Sequence, residues 1–250
     1  MSHQTPVARV VPVWAAWLER WPTATALADD SPGEAVRMWG RLGYPRRALR
    51  LHETAVAVRD RHGGALPGEY EGLLALPGVG PYTAGAVATF AFGRRAVVLD
   101  VNVRRVLARV HDGTDPTSAA PTVGERARAQ HALPQPAARA AAWNAAVMEL
   151  GALVCTAGTP GCDRCPLRSR CRWAADPPPA RARTTRRQAW HGTDRQVRGR
   201  MMALLRDADL VGDDALLAVC EQPEQARRCL AGLVADGLAE RTATGVRLPL

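Results

Sequence analysis

The sequence has 250 residues, 47% of them apolar and 23% charged, with a formal charge of +9. That length can bury a substantial core and hold more than one unit, and the charge favours an anionic partner, nucleic acid first. No run of about 18 apolar residues occurs, and no small-residue cleavage site follows the apolar Val10–Leu18 stretch, so neither a membrane span nor a signal peptide is expected. All 33 basic residues are arginine, which leaves no lysine to form a Schiff base. Six cysteines, four of them clustered, point to metal ligation in a reducing cytosol more than to a disulfide framework.

In chain order, Thr5 to Trp21 carries Val7, Val10, Val11, Trp14, Trp17 and Leu18 at helical spacing, which Pro12 bends more than breaks. Ser31-Pro32-Gly33-Glu34 reads as a capping box with proline at the first helical position. Tyr44 then stands in a turn close to Arg41, Arg46 and Arg47; an exposed aromatic there suits stacking on bases, and a core tyrosine is the alternative. Arg46 to His62 is a long amphipathic helix, closed by Gly63-Gly64, and Pro67 restarts the chain.

Glu69 to Ala75 and Pro81 to Phe92 are helical, whereas Pro77-Gly78-Val79-Gly80 cannot continue a helix. The result is two helices joined by a tight glycine hairpin. Around Leu76, Gly78, Val79 and Gly80 such a turn aims consecutive N–H groups outward at a helix N-terminus, a grip on phosphate that reads no base; an ordinary helical turn is the other reading. Asp100-Val101-Asn102 opens the next helix with Asp100 at the N-cap position. Pro136 to Val154 is helical again. Cys155, Cys162, Cys165 and Cys171 follow at x6, x2 and x5 spacing; four thiolates hold either tetrahedral zinc or a four-iron cluster, and softness does not choose. A Pro/Arg-rich linker is expected over residues 175–194. Beyond it, Arg195 to Asp207, Asp213 to Cys220 and Glu224 to Asp236 look helical, and Leu238 to Leu248 alternates like a hairpin around Gly245. This fits a small winged-helix-like unit over 195–250 that either grips DNA or docks on the main domain, with Cys220 and Cys229 as small buried residues.

The hairpin, the aspartate about twenty residues after it and the cysteine cluster together resemble the helix-hairpin-helix DNA glycosylase superfamily. Finer motifs are similar to the MutY-type adenine-specific mismatch glycosylases. Met1 to Val7 resembles their Met-Leu-Gln-Gln-Thr segment, and Gly43 to Ala48 their Gly-Tyr-Tyr-x-Arg-Ala turn. Asp100 to Val106 resembles Asp-x-Asn-Val-x-Arg-Val, and Trp143 to Gly151 resembles Phe-Asn-Gln-Ala-x-Met-Glu-Leu-Gly. The resemblance implies an all-α helix-hairpin-helix glycosylase fold over residues 1–174 with a [4Fe-4S] cluster loop at 155–171. It further implies a monomeric, cytoplasmic, nucleoid-associated bacterial enzyme that binds double-stranded DNA and excises adenine opposite guanine or 8-oxoguanine.

By the same resemblance Asp100 faces the anomeric carbon of the flipped nucleotide, and Tyr82 stands where relatives of the endonuclease III type carry a nucleophilic lysine, which makes the chemistry monofunctional. Gln4 and Tyr44 would fill the gap in the base stack; Leu76, Gly78, Val79, Gly80 and Asn102 would contact DNA; and Cys155, Cys162, Cys165 and Cys171 would hold the cluster. Departures occur at His3, Pro45, Val101 and Ala145, the last where relatives place a side chain that reads adenine. The family's ring-protonating glutamate lies upstream of the segment matching Met1, which implies a start codon set too far downstream or a natural remnant. Two rival readings are a thymine- or uracil-mismatch glycosylase on the same scaffold and a non-catalytic protein that binds mismatched DNA.

Overall fold

The computed structural model describes residues 1–2, 5–176 and 190–250. His3, Gln4 and residues 177–189, which hold most of the expected linker, lie outside the described residues. In chain order the helices are α1 (Val7–Arg20), α2 (Ala24–Asp29), α3 (Pro32–Trp39), α4 (Arg46–His62), α5 (Tyr70–Leu74), α6 (Pro81–Phe90), α7 (Val101–Asp112), α8 (Val123–Ala132), α9 (Ala137–Leu153), α10 (Arg172–Ala175), α11 (Asp194–Asp207), α12 (Asp213–Leu217) and α13 (Pro223–Ala235). A two-stranded antiparallel ribbon follows, β1 (Glu240–Arg241) and β2 (Val246–Arg247), with Glu240 opposite Arg247. The fold is all-α in class, as expected. Among the described residues no helix is long and apolar enough to cross a membrane.

Local chemistry sets the helix ends. Asp100 caps α7, and Gly113 closes it in the left-handed conformation. Thr122 and Glu125 form a reciprocal capping box on α8. The box expected on α3 is only half made: Ser31 accepts from the Glu34 amide at 3.2 Å, but the Glu34 carboxylate turns to Arg37 and Arg20, each at 2.7 Å. An arginine on each side outcompetes one backbone amide for that carboxylate.

The described residues fall into two compact units. The first comprises those of 1–66, 76–78 and 186–250; the second, those of 67–75 and 79–185. In the first, Trp17 packs edge-on against Trp21 and Trp39, with ring centroids 4.9 and 5.8 Å apart. Val36 and Leu42 join them, and so do Met201, Leu205, Leu216, Leu230, Leu233 and Val246, all in one apolar core. The C-terminal segment therefore has the three-helix-and-ribbon order expected of it, with Val211 bridging to Val246, but its core is continuous with that of α1 to α4. Polar ties reinforce this continuity: Arg37 donates to the Arg206 carbonyl, and the Gly33 amide donates to the Pro249 carbonyl at 2.9 Å. Cys229 is buried as expected, whereas Cys220 is only partly so.

In the second unit α7 lies against α9, and Leu99, Val103, Val106, Leu107, Ala129 and Val147 form the core. A non-helical run, 93–100, leads from α6 to α7. The fully buried Asn144 side chain holds it, accepting from the Val98 amide at 3.2 Å and donating to the Ala96 carbonyl at 3.0 Å. This pinned strand of chain delivers Asp100.

Candidate active site and cysteine loop

The hairpin forms where the sequence places it. Leu76 is buried, Val79 half-buried, and Gly80 exposed at the start of α6, whose first amides have no side-chain cap. Gly78 has φ +75°, and a Cβ there would lie 2.8 Å from the Cβ of Arg50, so only glycine makes this turn. Thr54 Oγ1 lies 2.6 Å from the Pro77 carbonyl and fastens the turn to α4. These amides and the helix dipole suit a phosphate.

Tyr44 is 54% exposed and, with φ +50°, is the one non-glycine residue with positive φ among the described residues. A tyrosine is held in that conformation at a cost, which favours a functional side chain over a packed one. The turn is anchored on both sides: Trp39 Nε1 donates to the Gly43 carbonyl at 2.8 Å, and the Arg47 amide donates to the Tyr44 carbonyl at 3.0 Å. The Arg47 guanidinium packs over Trp39 and donates to the Met1 carbonyl and the Thr5 hydroxyl.

In the second unit the structure joins Asp100 to Asn102 and sets Tyr82 within reach of the Asp100 charge. Asp100 Oδ1 accepts from the amides of Asn102 (2.9 Å) and Val103 (2.7 Å), and Oδ2 accepts from Asn102 Nδ2 at 3.0 Å. The aspartate is thus both a helix cap and a fixed, half-exposed acid. Tyr82, half-buried on the first turn of α6, has its phenol pushed up by burial and by the charge of Asp100. That coupling places the two side chains in one electrostatic neighbourhood, with the phenol kept protonated.

Asn102 is itself held, through Arg105, which sequence reasoning left out. Arg105 donates to Asn102 Oδ1 at 2.7 Å, to the Gly151 carbonyl at 2.6 Å and to the Cys155 carbonyl at 2.7 Å. A hydrogen-bonded chain therefore runs from the Asp100 carboxylate to the first residue of the cysteine loop. Gly151 makes it possible: a Cβ there would sit 2.7 Å from Asn102 Cβ and 2.9 Å from the Asn102 carbonyl. The asparagine pattern around Asp100 and the Met-Glu-Leu-Gly motif were visible in the sequence; one arginine joining them among 33 was not.

Cys155, Cys162, Cys165 and Cys171 are all free thiols, and they line one cavity together with Arg109 and Trp173. Burial pushes the Cys162 thiol up, and the three neighbouring cysteines add to the shift, a sign of sulfurs crowded together. Among the described residues no group of three or more His, Cys, Asp or Glu is set to hold a metal ion. The donor set fits an iron–sulfur cluster in charge as well as in type. Two guanidinium groups, Arg105 and Arg109, face the loop, with one carboxylate, Asp115, paired to Arg109 at 2.8 Å. Four thiolates carrying a cluster form an anion that this excess cation suits.

The HhH-GPD superfamily base excision DNA repair protein model matches residues 1–124. An adenine DNA glycosylase of Mycolicibacterium smegmatis is 48% identical over 248 residues, 98% of this chain and 83% of that one. The chain belongs to the adenine DNA glycosylase family. Among solved structures, this adenine DNA glycosylase family member is similar to a thermostable thymine-DNA glycosylase, at TM-score 0.62 and 26% identity over 68% of this chain and 78% of that one. It is also similar to endonuclease III in a trapped covalent DNA intermediate, at TM-score 0.60 and 26% identity over 70% and 80% of the two chains. The sequence similarity to the adenine-specific relative is much the higher, although the backbone resembles glycosylases of more than one specificity. The family is thus of enzymes, and the alternative of a thymine or uracil enzyme is not the better supported.

Proposed function

We propose that this chain carries out the base-removal step of DNA base excision repair, releasing adenine mispaired with guanine or 8-oxoguanine. The observation that carries the base-removal step is the fixed Asp100 carboxylate, whose charge reaches a protonated Tyr82, in a chain with no lysine; the 48% identity to an adenine DNA glycosylase supports the choice of adenine. The capless start of α6 and the exposed arginines hold phosphates of the duplex. Tyr44 enters the stack, and the adenine turns out into a pocket. As the bond from sugar to base lengthens, positive charge grows on the sugar, and Asp100 stabilises it; preorganised charge of this kind is worth about 10²–10³-fold in rate. Asn102 and Arg105 keep Asp100 from swinging away.

With no lysine in the chain, attack on the sugar stops at hydrolysis, and an abasic site is the product. Cys155, Cys162, Cys165 and Cys171 would hold the [4Fe-4S] cluster, which supplies charge and rigidity to the loop. The resemblance sets the family's ring-protonating carboxylate ahead of the segment matching Met1, so the test compares the 250-residue chain with one extended N-terminally by such an acid-bearing segment. Duplexes carrying A:8-oxoguanine, A:G, T:G and U:G are incubated under single-turnover conditions and split with and without hot alkali. The expected result is cleavage at adenine by the extended chain, visible only after alkali. Cleavage without alkali, or preference for T:G or U:G, overturns the reading.

A further inference from the structure

Base removal as derived above leaves one buried charge unused. Arg109, on α7, is 1% exposed. Its Nε donates to Asp115 Oδ1 at 2.8 Å, and Nη1 donates to the Thr156 carbonyl at 2.8 Å and reaches Cys155 Sγ at 3.5 Å. The Trp173 ring covers the guanidinium, its centroid 4.3 Å from Cζ. The carbonyl of Arg109 itself lies 3.6 Å from Cys171 Sγ. One residue therefore touches the first and the last cysteine of the loop.

A guanidinium is buried at a large cost unless its donors and its charge are met. Asp115 meets only part of this, because its side chain is 49% exposed and solvent weakens the pair. The remaining donors end on carbonyls of the loop and on a sulfur. Neutral thiols give that buried cation little in return; an anionic cluster gives it a full partner.

We propose that Arg109 is the charge partner of the cysteine loop, a positioning residue that acts through Cys155 to hold the iron–sulfur cluster in its more reduced state and protect it from oxidative loss. The inference rests on the cluster reading above. A cation and an N–H donor at a ligand sulfur stabilise the form with more negative charge. When the cluster gives up one electron, to an electrode or to dissolved oxygen, that stabilisation is lost, so removing the guanidinium makes the oxidation easier. Removing Asp115 leaves the guanidinium uncompensated and makes it harder.

The test uses the full chain purified without oxygen, as wild type, Arg109→Gln, Arg109→Lys and Asp115→Asn. Iron and acid-labile sulfide are counted, the potential is read by voltammetry on a DNA-coated electrode, and the visible absorption is followed in air. Arg109→Gln is expected to shift the potential negative and to bleach roughly tenfold faster. Arg109→Lys keeps the charge and falls between that variant and wild type. Asp115→Asn, at a half-exposed position, is expected to shift the potential positive and bleach more slowly. If Arg109 only pins the Thr156 carbonyl, its variants lower Tm and leave all the potentials equal, which overturns the inference; Asp115→Asn decides the matter if Arg109→Gln does not fold. Wild type without iron or sulfide defeats the cluster reading instead.

Discussion

Replacing Gly151 by alanine tests the joint on which the candidate active site depends. The added methyl would stand 2.7 Å from Asn102 Cβ and 2.9 Å from the Asn102 carbonyl oxygen. Ordinary carbon contacts lie at about 3.5–4.0 Å, so α9 and α7 must part by roughly 1 Å at this point. Both neighbours belong to the backbone or sit next to it, and no flexible side-chain end can absorb the strain. Overpacking of this kind costs about 1–3 kcal/mol, which for a chain of this size lowers Tm by about 2–12 °C. The same displacement draws the Gly151 carbonyl from Arg105 and loosens Asn102 beneath Asp100. A 1 Å misplacement near the reacting groups costs on the order of 10²-fold in rate. Thermal melts and single-turnover adenine release, with Gly158→Ala as the control because nothing lies within 4 Å of its Cβ, measure both effects. Gly151→Ala with Tm within a degree of wild type and an unchanged release rate would refute the reasoning.

Three further outcomes are expected. Tyr44→Gly relieves a positive φ and removes a stacking ring, so it should raise Tm slightly while weakening mismatch binding by about 1–3 kcal/mol; equal binding in a titration would contradict the wedge role. Burial would raise the Glu125 carboxyl, but the Thr122 amide and the Arg104 guanidinium outweigh it and hold it below the usual range. The stability it contributes is present above about pH 4.5 and disappears as pH falls through the lowered folded value. Glu125→Gln should therefore flatten acid unfolding in that window, and an unaltered pH profile would sink this assignment. A chain ending at Asp176 loses Met201, Leu205, Leu216, Leu230 and Leu233 from the first unit's core, each worth about 1.5–3 kcal/mol, against a net stability of about 5–15 kcal/mol. Its first unit should lose its cooperative melt by circular dichroism, leaving only that of the second unit's core, and a melt close to that of the full chain would mean that the C-terminal segment folds apart.

What could be read from the sequence was the local chemistry. The glycine hairpin, the Asp100 cap, the extent of α4 and the cysteine spacing each depend on residues a few positions apart, and a turn or cap announces itself in residue type. What could not be read depends on contacts across the chain. Arg105 and Arg109 look like any other arginine in this composition until α7 is set against α9 and the loop. The same holds for Asn144, whose amide pins the run before Asp100 from 46 residues away. The C-terminal helices were legible as helices, but a proline- and arginine-rich stretch reads as separation, and only three-dimensional packing reveals a core shared with Trp17 and Trp39. The Ser31 box was half wrong because the rivals for Glu34, Arg20 and Arg37, include one fourteen residues away.

The central claim is that Asp100 stabilises charge on the sugar and does more than cap a helix. Asp100→Asn retains an oxygen for the Asn102 and Val103 amides and removes the negative charge together with the bond from Asn102 Nδ2, so the cap is kept while the charge is lost. Single-turnover release of adenine from an A:8-oxoguanine duplex, measured beside duplex affinity and Tm in the chain carrying the acid-bearing N-terminal segment, is the most direct test. A fall in rate of about 10²–10³-fold, with affinity and Tm near wild type, is the predicted result. A rate within about threefold of wild type, well under the loss expected for a missing electrostatic partner, would contradict it and leave Asp100 a cap alone.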